Sequence, residues 1–557
     1  MQIVIPMSGF GERFRRAGYS VPKPLIEIDG KPIVEHVVEM FPGGEDFVFV
    51  CNRDHLADSD LGMAAVLRRI APGSTVVPIA PHKRGPVHAV LEAASVVDHA
   101  GPVVVNYCDF TCYWDWQWFR RFVSETACAG AIPAYRGFHP HSLGSTNYAY
   151  LKEQGGWVTD IREKEPFTPD RMSEYASSGT YYFATGSLLL EACATTVERD
   201  LNVAGEYYVS LAYHHLLDES LPVAVYPLQH FMQWGTPEDV REYEEWSRYF
   251  RELASDRPEP IPTSSALVVP MAGLGQRFRD EGYDVPKPSV LVSGRPMVVQ
   301  ATGDVGASGP LAFVVRDDMQ DVERLIADVQ SAFASPTIVR TPGPTDGQAI
   351  SALIGLDALE AQGPLRGPVT FAACDNGMIS PAPGAVAALI AGGADVIVWV
   401  VRGHASAMRA PEMFGWVDEE GGVVSGVSVK VPLDDPTTDP VVTGTFTFRT
   451  AEIARTCIDR LVSLDHRVNG EFYLDSTVND AVVLGLDCRT IEVTHYVSWG
   501  TPNDLRTFEY WQSCFHKWDA HPYRLGGDHH VPTDQVAALA QRFDEWAPAI
   551  PAPRGAS

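Results

Sequence analysis

The feature of this sequence that most constrains its fold is a long internal repeat. The segment Pro6–Pro24 (PMSGFGERFRRAGYSVPKP) returns as Pro270–Pro288 (PMAGLGQRFRDEGYDVPKP). Of the 27 residues in 6–32, 15 are identical to their partners in 270–296, which chance does not produce. The offset stays between 264 and 266 residues, a period that indicates a duplicated domain, since solenoid units repeat every ~20–45 residues.

Later motifs keep this register to the end of each copy. The paired positions are Asp109 and Asp375, Gly179 and Gly444, Glu206 and Glu471, and Gly235 and Gly500. We therefore predict a first domain over 1–253 and a second over 266–518. Between them, 254–265 is a Pro-rich linker, and 519–557 is a tail with a short helix at 534–546 and a frayed Pro/Ala-rich end.

Apolar runs alternate with helical patterns in each copy. The predicted strands are Ile3–Pro6, Leu25–Ile28, Phe47–Cys51, Thr75–Ile79 and Val103–Tyr107, and the predicted helices include Met63–Ile70 and Val87–Val97. This alternation predicts the α/β class, with two tandem Rossmann-like domains, each a mostly parallel sheet flanked by helices. Ligands of such sheets bind beyond the carboxyl ends of the strands.

Charge and cysteine content exclude several classes of protein. Lys and Arg number 43 against 71 Asp and Glu, so the net charge is 43 − 71 = −28, which argues against nucleic acid as a partner. The longest apolar runs are far shorter than the ~18 residues that span a bilayer, so we expect no membrane insertion. Nine scattered cysteines are typical of reduced thiols, and we expect a cytoplasmic protein. The oligomeric state, a homo-oligomer included, stays open.

The turn after the first strand of each copy combines glycines with cations. It reads Gly9-Phe-Gly11-Glu-Arg13 in the first copy and Gly273-Leu-Gly275-Gln-Arg277 in the second. Glycines let backbone N–H groups approach an anion closely. Lys23 and Lys287 follow, each between two prolines that stiffen the backbone. A glycine turn with two cations predicts a polyphosphate pocket, although a glycine turn alone is equally typical of a tight turn.

A carboxylate ends a buried strand in each copy, as Asp109 and Asp375. Mg²⁺ prefers one or two carboxylates together with substrate phosphates, so these residues are candidate magnesium ligands and Mg²⁺ the expected cofactor. A helix N-cap is the structural alternative.

These motifs resemble those of the sugar-phosphate nucleotidyltransferases, or nucleotide-sugar pyrophosphorylases, which carry Gly-x-Gly-x-Arg followed by Pro-Lys-Pro. The Arg-Phe, Gly-Tyr and Val-Pro-Lys-Pro details look most like the branch found with capsule and surface glycans. The resemblance implies a GT-A-like nucleotidyltransferase fold in both copies. It implies that Arg13, Lys23, Arg277 and Lys287 act on phosphates at the reacting centre. It implies nucleotide binding by Ser8, Gly9, Gly11, Gly85, Ala272, Gly273, Gly275 and Gly347, and acceptor binding by Lys164, Glu206, Lys430 and Glu471.

The copies depart from the family pattern in three places. Gln233 and Ser498 stand where many members have a second metal-binding Asp. The second copy keeps Lys430 but has Val429 where the first has Glu163. The base-binding pattern Gly-x-Ala fits Gly347 to Ala349, whereas the segment around Gly85 fits it poorly.

The expected function is transfer of a nucleotidyl group from an NTP to a phosphorylated sugar or similar small phosphate, with release of pyrophosphate and dependence on Mg²⁺. One alternative is that one copy is catalytic and the other a nucleotide-binding regulatory or structural copy. A second alternative, a GT-A glycosyltransferase, requires Asp-x-Asp after the central strand. The sequence there is Asp109-Phe-Thr and Asp375-Asn-Gly.

Overall fold

The computed structural model describes residues 1–43, 46–145, 147–255, 265–306, 308–382 and 384–548. The chain forms two compact units. The first unit comprises Met1–Arg248, Ser513–His521 and the C-terminal residues from Gln541, and the second comprises Tyr249–Gln512 and Pro522–Ala540. These bounds differ from the linear division expected from the repeat. His230 and Ser247 of the first unit contact Ser513 and His521 at 3.1 and 3.3 Å, which explains why 513–521 belongs there.

The first unit is built on one ten-stranded sheet with two small two-stranded sheets. Its strands are β1 (Gln2–Met7), β2 (Glu27–Ile28), β3 (Lys31–Pro32), β4 (Asp46–Asn52), β5 (Thr75–Ile79), β6 (Val103–Asn106), β7 (Phe110–Tyr113), β8 (Gly130–Tyr135), β9 (Ala149–Gln154), β10 (Trp157–Glu163), β11 (Tyr175–Ser177), β12 (Thr180–Phe183), β13 (Val223–Leu228) and β14 (His230–Gln233). The large sheet has the order β11-β9-β10-β13-β8-β12-β6-β1-β4-β5, while β2 pairs with β3 and β7 with β14.

The expectation of a mostly parallel sheet is wrong, because the sheet is mixed. Strands β6, β1, β4 and β5 are parallel, as helical crossovers require. Beyond them β12 runs antiparallel between β6 and β8. Strands β9 and β10 form an antiparallel hairpin, closed by Gly155 and Gly156, both at positive φ. A two-residue connection of this kind joins only antiparallel strands.

Helices cover this sheet. They are α1 (Glu12–Arg16), α2 (Ile33–Glu39), α3 (Arg53–Ala57), α4 (Met63–Ile70), α5 (Pro86–Glu92), α6 (Trp116–Thr126), α7 (Gly186–Glu198), α8 (Val209–Asp218) and α9 (Pro237–Leu253). A core of fully buried side chains such as Val4, Val105 and Val225 packs against Val90 of α5, Leu189 of α7 and Tyr213 of α8. These buried side chains fill the space between the sheet and the helices.

The second unit repeats this element order around a nine-stranded sheet. Its strands are β15 (Ala266–Pro270), β16 (Leu291–Val292), β17 (Arg295–Pro296), β18 (Leu311–Arg316), β19 (Thr337–Thr341), β20 (Val369–Ala372), β21 (Asn376–Ile379), β22 (Val396–Val401), β23 (Gly415–Glu420), β24 (Val423–Val429), β25 (Val441–Phe448), β26 (Cys488–Glu492) and β27 (His495–Ser498). The sheet order is β19-β18-β15-β20-β25-β22-β26-β24-β23, with β16–β17 and β21–β27 as separate pairs. This sheet is mixed as well, since β25 is antiparallel to β20 and β22.

The helices from the second copy onward are α10 (Gln276–Asp280), α11 (Met297–Val305), α12 (Val322–Ala332), α13 (Gln348–Glu360), α14 (Ala385–Ala391), α15 (Ala405–Arg409), α16 (Ala451–Ser463), α17 (Leu474–Val483), α18 (Pro502–Lys517) and α19 (Val536–Glu545). The sheet of the second unit has an apolar core on each face, and alternate strand residues supply them. Val268 enters one core, whereas Leu267 and Val269 enter the other. This alternation is the two-residue period of a strand covered on both sides.

Several predicted elements differ from the structure at their ends. The predicted strand Leu25–Ile28 is a 3₁₀ turn at Lys23–Leu25 followed by the two-residue strand β2, because two prolines around Lys23 fix an extended entry and a tight turn. The predicted helix to Val97 ends at Glu92, and a 3₁₀ turn follows. Most of the expected linker and the Pro/Ala-rich end lie outside the described residues.

Two further observations concern the part of the chain that the structure describes. Among its helices, none combines the length and the apolarity that crossing a bilayer requires. All nine cysteines lie in that part, and each is a free thiol.

Candidate active site

The glycine turn of the first unit lies directly against Lys23. Gly11 has φ +61°, which favours glycine, and precedes the short helix α1, whose Phe14 is buried. A Cβ added at Gly11 would lie 3.8 Å from the backbone nitrogen of Lys23, whereas one added at Gly9 would meet nothing within 4 Å. The backbone at Gly9 therefore borders open space, where a ligand can approach it closely.

Lys23 forms an ion pair with the carboxylate that ends the central strand region. Its Nζ donates to Oδ2 of Asp109 at 2.7 Å and to the carbonyl of Gly235 at 3.3 Å. The backbone carbonyl of Asp109 in turn accepts a hydrogen bond of 2.8 Å from the amide of Trp234. The exposed fractions of the Lys23 and Asp109 side chains are 19% and 34%, so the pair is partly shielded and open on one side.

The second unit reproduces this arrangement. Lys287 donates to Oδ2 of Asp375 and, at 3.0 Å, to the carbonyl of Gly500. A Cβ at Gly275 would lie 3.1 Å from Cβ of Lys287, so the turn and the lysine are again in contact. Burial alone would lower the pKa of Lys287, but the charges of Asp375 and Cys374 and the hydrogen bond to Asp375 together outweigh it, and the net pKa is raised. The lysine is therefore held as a cation.

Arg13 and Arg277 are exposed on the same turns. The charge of Arg13 lowers the pKa of Tyr208, against the larger raising effects of burial and of Glu206. Arg277 lies beside Met413, with 3.8 Å between Nη2 and Sδ. Arg13 is therefore within electrostatic reach of Tyr208.

The acceptor residues of the first unit form one connected group. Nζ of Lys164 donates to the hydroxyl of Tyr208 at 2.5 Å, and this hydroxyl donates to Glu206. Lys164 itself has φ +61°, and its amide bonds to the carbonyl of Tyr148 at 2.8 Å. Tyr208, which sequence reasoning missed, joins the two predicted residues.

Glu163 lies next to this group. Its Oε2 accepts a hydrogen bond of 2.6 Å from Ser210 at the start of α8. Burial raises the pKa of Glu163 to about 7, although the Ser210 hydrogen bond and the charge of Lys164 lower it. The carboxyl group therefore changes its charge near neutral pH.

The corresponding lysine of the second unit is Lys430, with φ +60°. Its amide bonds to the carbonyl of Phe414 at 3.0 Å, and its Nζ lies 5.0 Å from the centroid of the Tyr473 ring. Glu471, like Glu206, belongs to an isolated antiparallel bridge, here with Val468. The backbone of the acceptor region is therefore the same in both units.

Gly85 and Gly347 serve the same structural purpose. Both have positive φ, +86° and +128°, and a Cβ on either would lie within 2.6 Å of the backbone of Tyr207 or Phe472, respectively. Tyr207 bonds to the carbonyl of Arg84, and Phe472 to that of Asp346. The segment around Gly85 thus makes the same backbone hydrogen bond as the segment around Gly347, although its sequence fits the Gly-x-Ala pattern poorly. Ser8 and Ala272, beside the glycine turns, are both buried.

A second carboxylate, missed in the sequence, lies near each strand-end Asp. Asp239 accepts hydrogen bonds from the amide and hydroxyl of Thr236, both at 2.8 Å, and from Gln233 at 2.7 Å. Thr236 accepts from the amide of Asp239 in return. This reciprocal pattern is a capping box at the start of α9, and the Thr-x-x-Asp spacing is its sequence signal. Asp504 does the same for α18.

The donors near Asp109 fit a magnesium ion. Within the described ranges no group of three or more His, Cys, Asp or Glu side chains is arranged to hold a metal ion. The buried Oε1 of Gln233, however, has no hydrogen-bond partner in the described part of the chain. One carboxylate with one neutral oxygen suits Mg²⁺, which takes its other ligands from phosphates and water. In the second unit Ser498 occupies the position of Gln233, beside Asp504 at 3.3 Å.

Part of the first unit matches a known protein family. Residues 3–163 match the model of the MobA-like NTP transferase domain. This match supports a nucleotidyltransferase domain in the first unit.

Individual proteins match this chain at low sequence identity. The bifunctional protein GlmU of Ralstonia pickettii is 25% identical over 258 residues, which are 43% of this chain and 50% of GlmU. The GlmU of Rhodopseudomonas palustris is 25% identical over 224 residues, or 40% of this chain and 46% of GlmU. The chain thus spans about half the length of these curated relatives. A nucleoside-diphosphate-sugar pyrophosphorylase from Vibrio cholerae aligns over 43% of this chain and 98% of its own, with 23% identity and a TM-score of 0.37.

Proposed function

We propose that this chain is a tandem nucleotidyltransferase, in which each unit transfers a nucleotidyl group from an NTP to a phosphorylated sugar or similar small phosphate and releases pyrophosphate. The observation that carries the proposal is the pairing of Lys23 with Asp109 beside an open glycine turn. The same pairing of Lys287 with Asp375 supports the activity in the second unit.

In the proposed reaction an oxygen of the acceptor phosphate attacks the α-phosphorus of the NTP. A new P–O bond forms there, the bond to the β-phosphate oxygen breaks, and pyrophosphate leaves with the electron pair. Both reactants are anions, so the protein has to position them and neutralise their charge. A cation about 4 Å from a phosphate charge contributes roughly 4 kcal/mol at an effective dielectric constant near 20.

The residues of the first unit divide this work. The backbone at Gly9 and Gly11 cradles the phosphates of the NTP, and Arg13 and Lys23 neutralise them. Lys164 holds the acceptor phosphate, and Glu206 binds acceptor hydroxyl groups. In the second unit these roles fall to Gly273, Gly275, Arg277, Lys287, Lys430 and Glu471, with Gly347 at the base.

Asp109 and Asp375 would hold Mg²⁺, with the unpartnered oxygen of Gln233 as a further donor in the first unit. The ion would neutralise charge on the leaving pyrophosphate. The resemblance to the capsule and surface-glycan branch supports a cytoplasmic enzyme that makes activated units for surface polysaccharides.

The test is a screen for pyrophosphate release by the full chain. Four NTPs are combined with a panel of sugar, polyol and amino-acid phosphates. We expect one NTP and at least one acceptor to give turnover that EDTA abolishes. No release with any pair would contradict the proposal, and a double variant Lys23→Ala/Lys287→Ala is the matched control for contaminating activity.

A further inference from the structure

The two units place a carboxylate beside the acceptor lysine from opposite elements. In the first unit Glu163, the last residue of strand β10, contacts Ser210 of helix α8 at 2.6 Å. The offset of the repeat aligns Glu163 with Val429 and Ser210 with Asp475. The carboxylate is therefore on the strand in the first unit and on helix α17 in the second.

A third position has changed to make room for Asp475. The first residue of β9 is Ala149, and its counterpart in β23 is Gly415. A Cβ at Gly415 would lie 2.5 Å from Oδ2 of Asp475, closer than any real contact permits. The alanine of the first unit would not fit here. The differences at these three positions belong together. They place the carboxylate on the helix instead of the strand, and the glycine leaves the space that the carboxylate occupies.

The carboxyl group of Asp475 interacts electrostatically with residues in two parts of the site of the second unit. Burial raises the pKa of Asp475 to about 6, and the charge of Lys430 opposes this shift. On the other side, burial raises the pKa of Tyr496, as do the charges of Asp375, Asp504 and, more weakly, Asp475. The relocated carboxylate therefore lies within electrostatic reach of both the acceptor lysine and the tyrosine near the strand-end aspartate.

Tyr496 belongs to a second pair of positions at which the two units differ reciprocally. In the first unit Tyr148 packs edge-on against Phe231, with 6.1 Å between the ring centroids. The aligned residues of the second unit are Phe414 and Tyr496. Burial and the charges of Asp239 and Asp109 raise the pKa of Tyr148, as burial, Asp375 and Asp504 raise that of Tyr496. Both units thus have a phenol group within electrostatic reach of these carboxylates, which comes from the residue before β9 in the first unit and from β27 in the second.

We propose that Asp475, in addition to Glu471, accepts hydrogen bonds from hydroxyl groups of the acceptor in the second unit, and that Glu163 does so from the strand side in the first unit. The inference rests on the proposed function. Because Lys430 neutralises the phosphate of the acceptor, the ligand class is a phosphate with hydroxyl groups close by, such as a sugar or polyol phosphate. The carboxylate approaches from the helix and leaves Val429 as an apolar wall, so the second unit binds an acceptor that differs from that of the first.

The experiment measures the activity of each unit separately in the full chain. Lys23→Ala silences the first unit, so that pyrophosphate release reports the second, and Lys287→Ala does the reverse. In the Lys23→Ala protein, Asp475→Asn should raise KM for the acceptor by about tenfold to a hundredfold, because a charged hydrogen bond is lost. KM for the NTP should change less than about twofold. Val483→Ser, at a position of the same helix that is 69% exposed, should leave both constants unchanged.

A graft of the first unit's arrangement provides the second measurement. Gly415→Ala, Val429→Glu and Asp475→Ser together should give the second unit the acceptor preference that the Lys287→Ala protein shows. An acceptor KM that Asp475→Asn leaves unaltered would overturn the inference, and so would a Lys23→Ala protein without turnover while the Lys287→Ala protein stays active. If neither protein releases pyrophosphate, the proposed function itself fails.

Discussion

The ammonium group of Lys23 lies 2.7 Å from Oδ2 of Asp109 and forms an ion pair with it. The positive charge of Lys23 and the negative charge of Asp109 thus compensate each other. Lys23 is also within 5.7 Å of the centroid of the buried Phe14 ring, which restricts where its side chain can go. The lysine is positioned by the fold, so its removal should affect the reaction more than the stability of the unit.

The first prediction concerns the two lysines. Lys23→Ala and Lys287→Ala should each abolish one product and spare the other, with a loss of about 10²–10³ in the affected rate, as is common when one preorganised electrostatic contact is removed. Product analysis by chromatography of both variants and the double variant checks this. A single variant that loses both products would contradict independent sites, and a Lys287→Ala protein with parental turnover and nucleotide affinity would make the second unit a scaffold.

The second prediction concerns the metal. Because Lys23 already neutralises Asp109, we expect Mg²⁺ to bind weakly without nucleotide and tightly with it. Calorimetric titration of Mg²⁺ with and without NTP measures this. Asp109→Asn should lower the rate of the first unit's reaction by about 10²–10³, whereas Asp239→Asn, which preserves the helix cap, should leave Mg²⁺ affinity near that of the parent. Tight binding of Mg²⁺ to the nucleotide-free protein would contradict the assignment.

The third prediction separates structural from ligand-binding glycines. Gly85→Ala places a Cβ 2.6 Å from the backbone of Tyr207 at a positive φ, so the free energy of unfolding should fall by at least about 1–3 kcal/mol. Gly9→Ala meets no atom within 4 Å and should keep the parental melting temperature while it weakens NTP binding. Thermal melts and nucleotide titrations of both variants distinguish the two roles. Equal melting temperatures for the two variants would show that Gly85 has no structural purpose.

The fourth prediction concerns pH. Burial raises the pKa of Glu163 from 4.5 to about 7, so the folded chain binds a proton there that the unfolded chain releases. The contribution to stability is complete below pH 4.5 and is lost as the pH rises through 7. A displacement from 4.5 to about 7 corresponds to about 3 kcal/mol at most. Glu163→Gln should remove this decline, which denaturant unfolding across pH 4.5 to 7.5 measures. An unchanged pH dependence in the variant would contradict the shift.

The sequence predicted the parts of the site that are local. The glycine turn, Lys23 and the strand before Asp109 follow from short patterns, and the repeat doubles their weight. The contact between Lys23 and Asp109 joins residues 86 positions apart, and only the resemblance to a family suggested that they act together. The antiparallel strand pairs of each sheet were missed, because a short buried strand has the same apolar pattern whether it pairs in parallel or antiparallel. Asp475 was missed because its proposed role follows only from its position near Val429 and Gly415, and these residues are far from it in the sequence.

The last prediction concerns the division of the chain. We expect limited proteolysis to cut within 254–265, as the Pro-rich composition predicts, but we do not expect the fragments to part. Residues 513–521 belong to the first unit although they follow the cut. There Lys517 donates to Gln229 at 3.0 Å in a partly buried position, and His230 contacts Ser513 at 3.1 Å in a buried one. The two fragments should therefore elute together in gel filtration and separate only under denaturing conditions. A fragment 1–253 expressed alone should melt lower than the first unit of the intact chain, and addition of a peptide covering 513–521 should raise its melting temperature. Clean separation into two fragments with parental melting temperatures would show that each copy is complete without the other's segment.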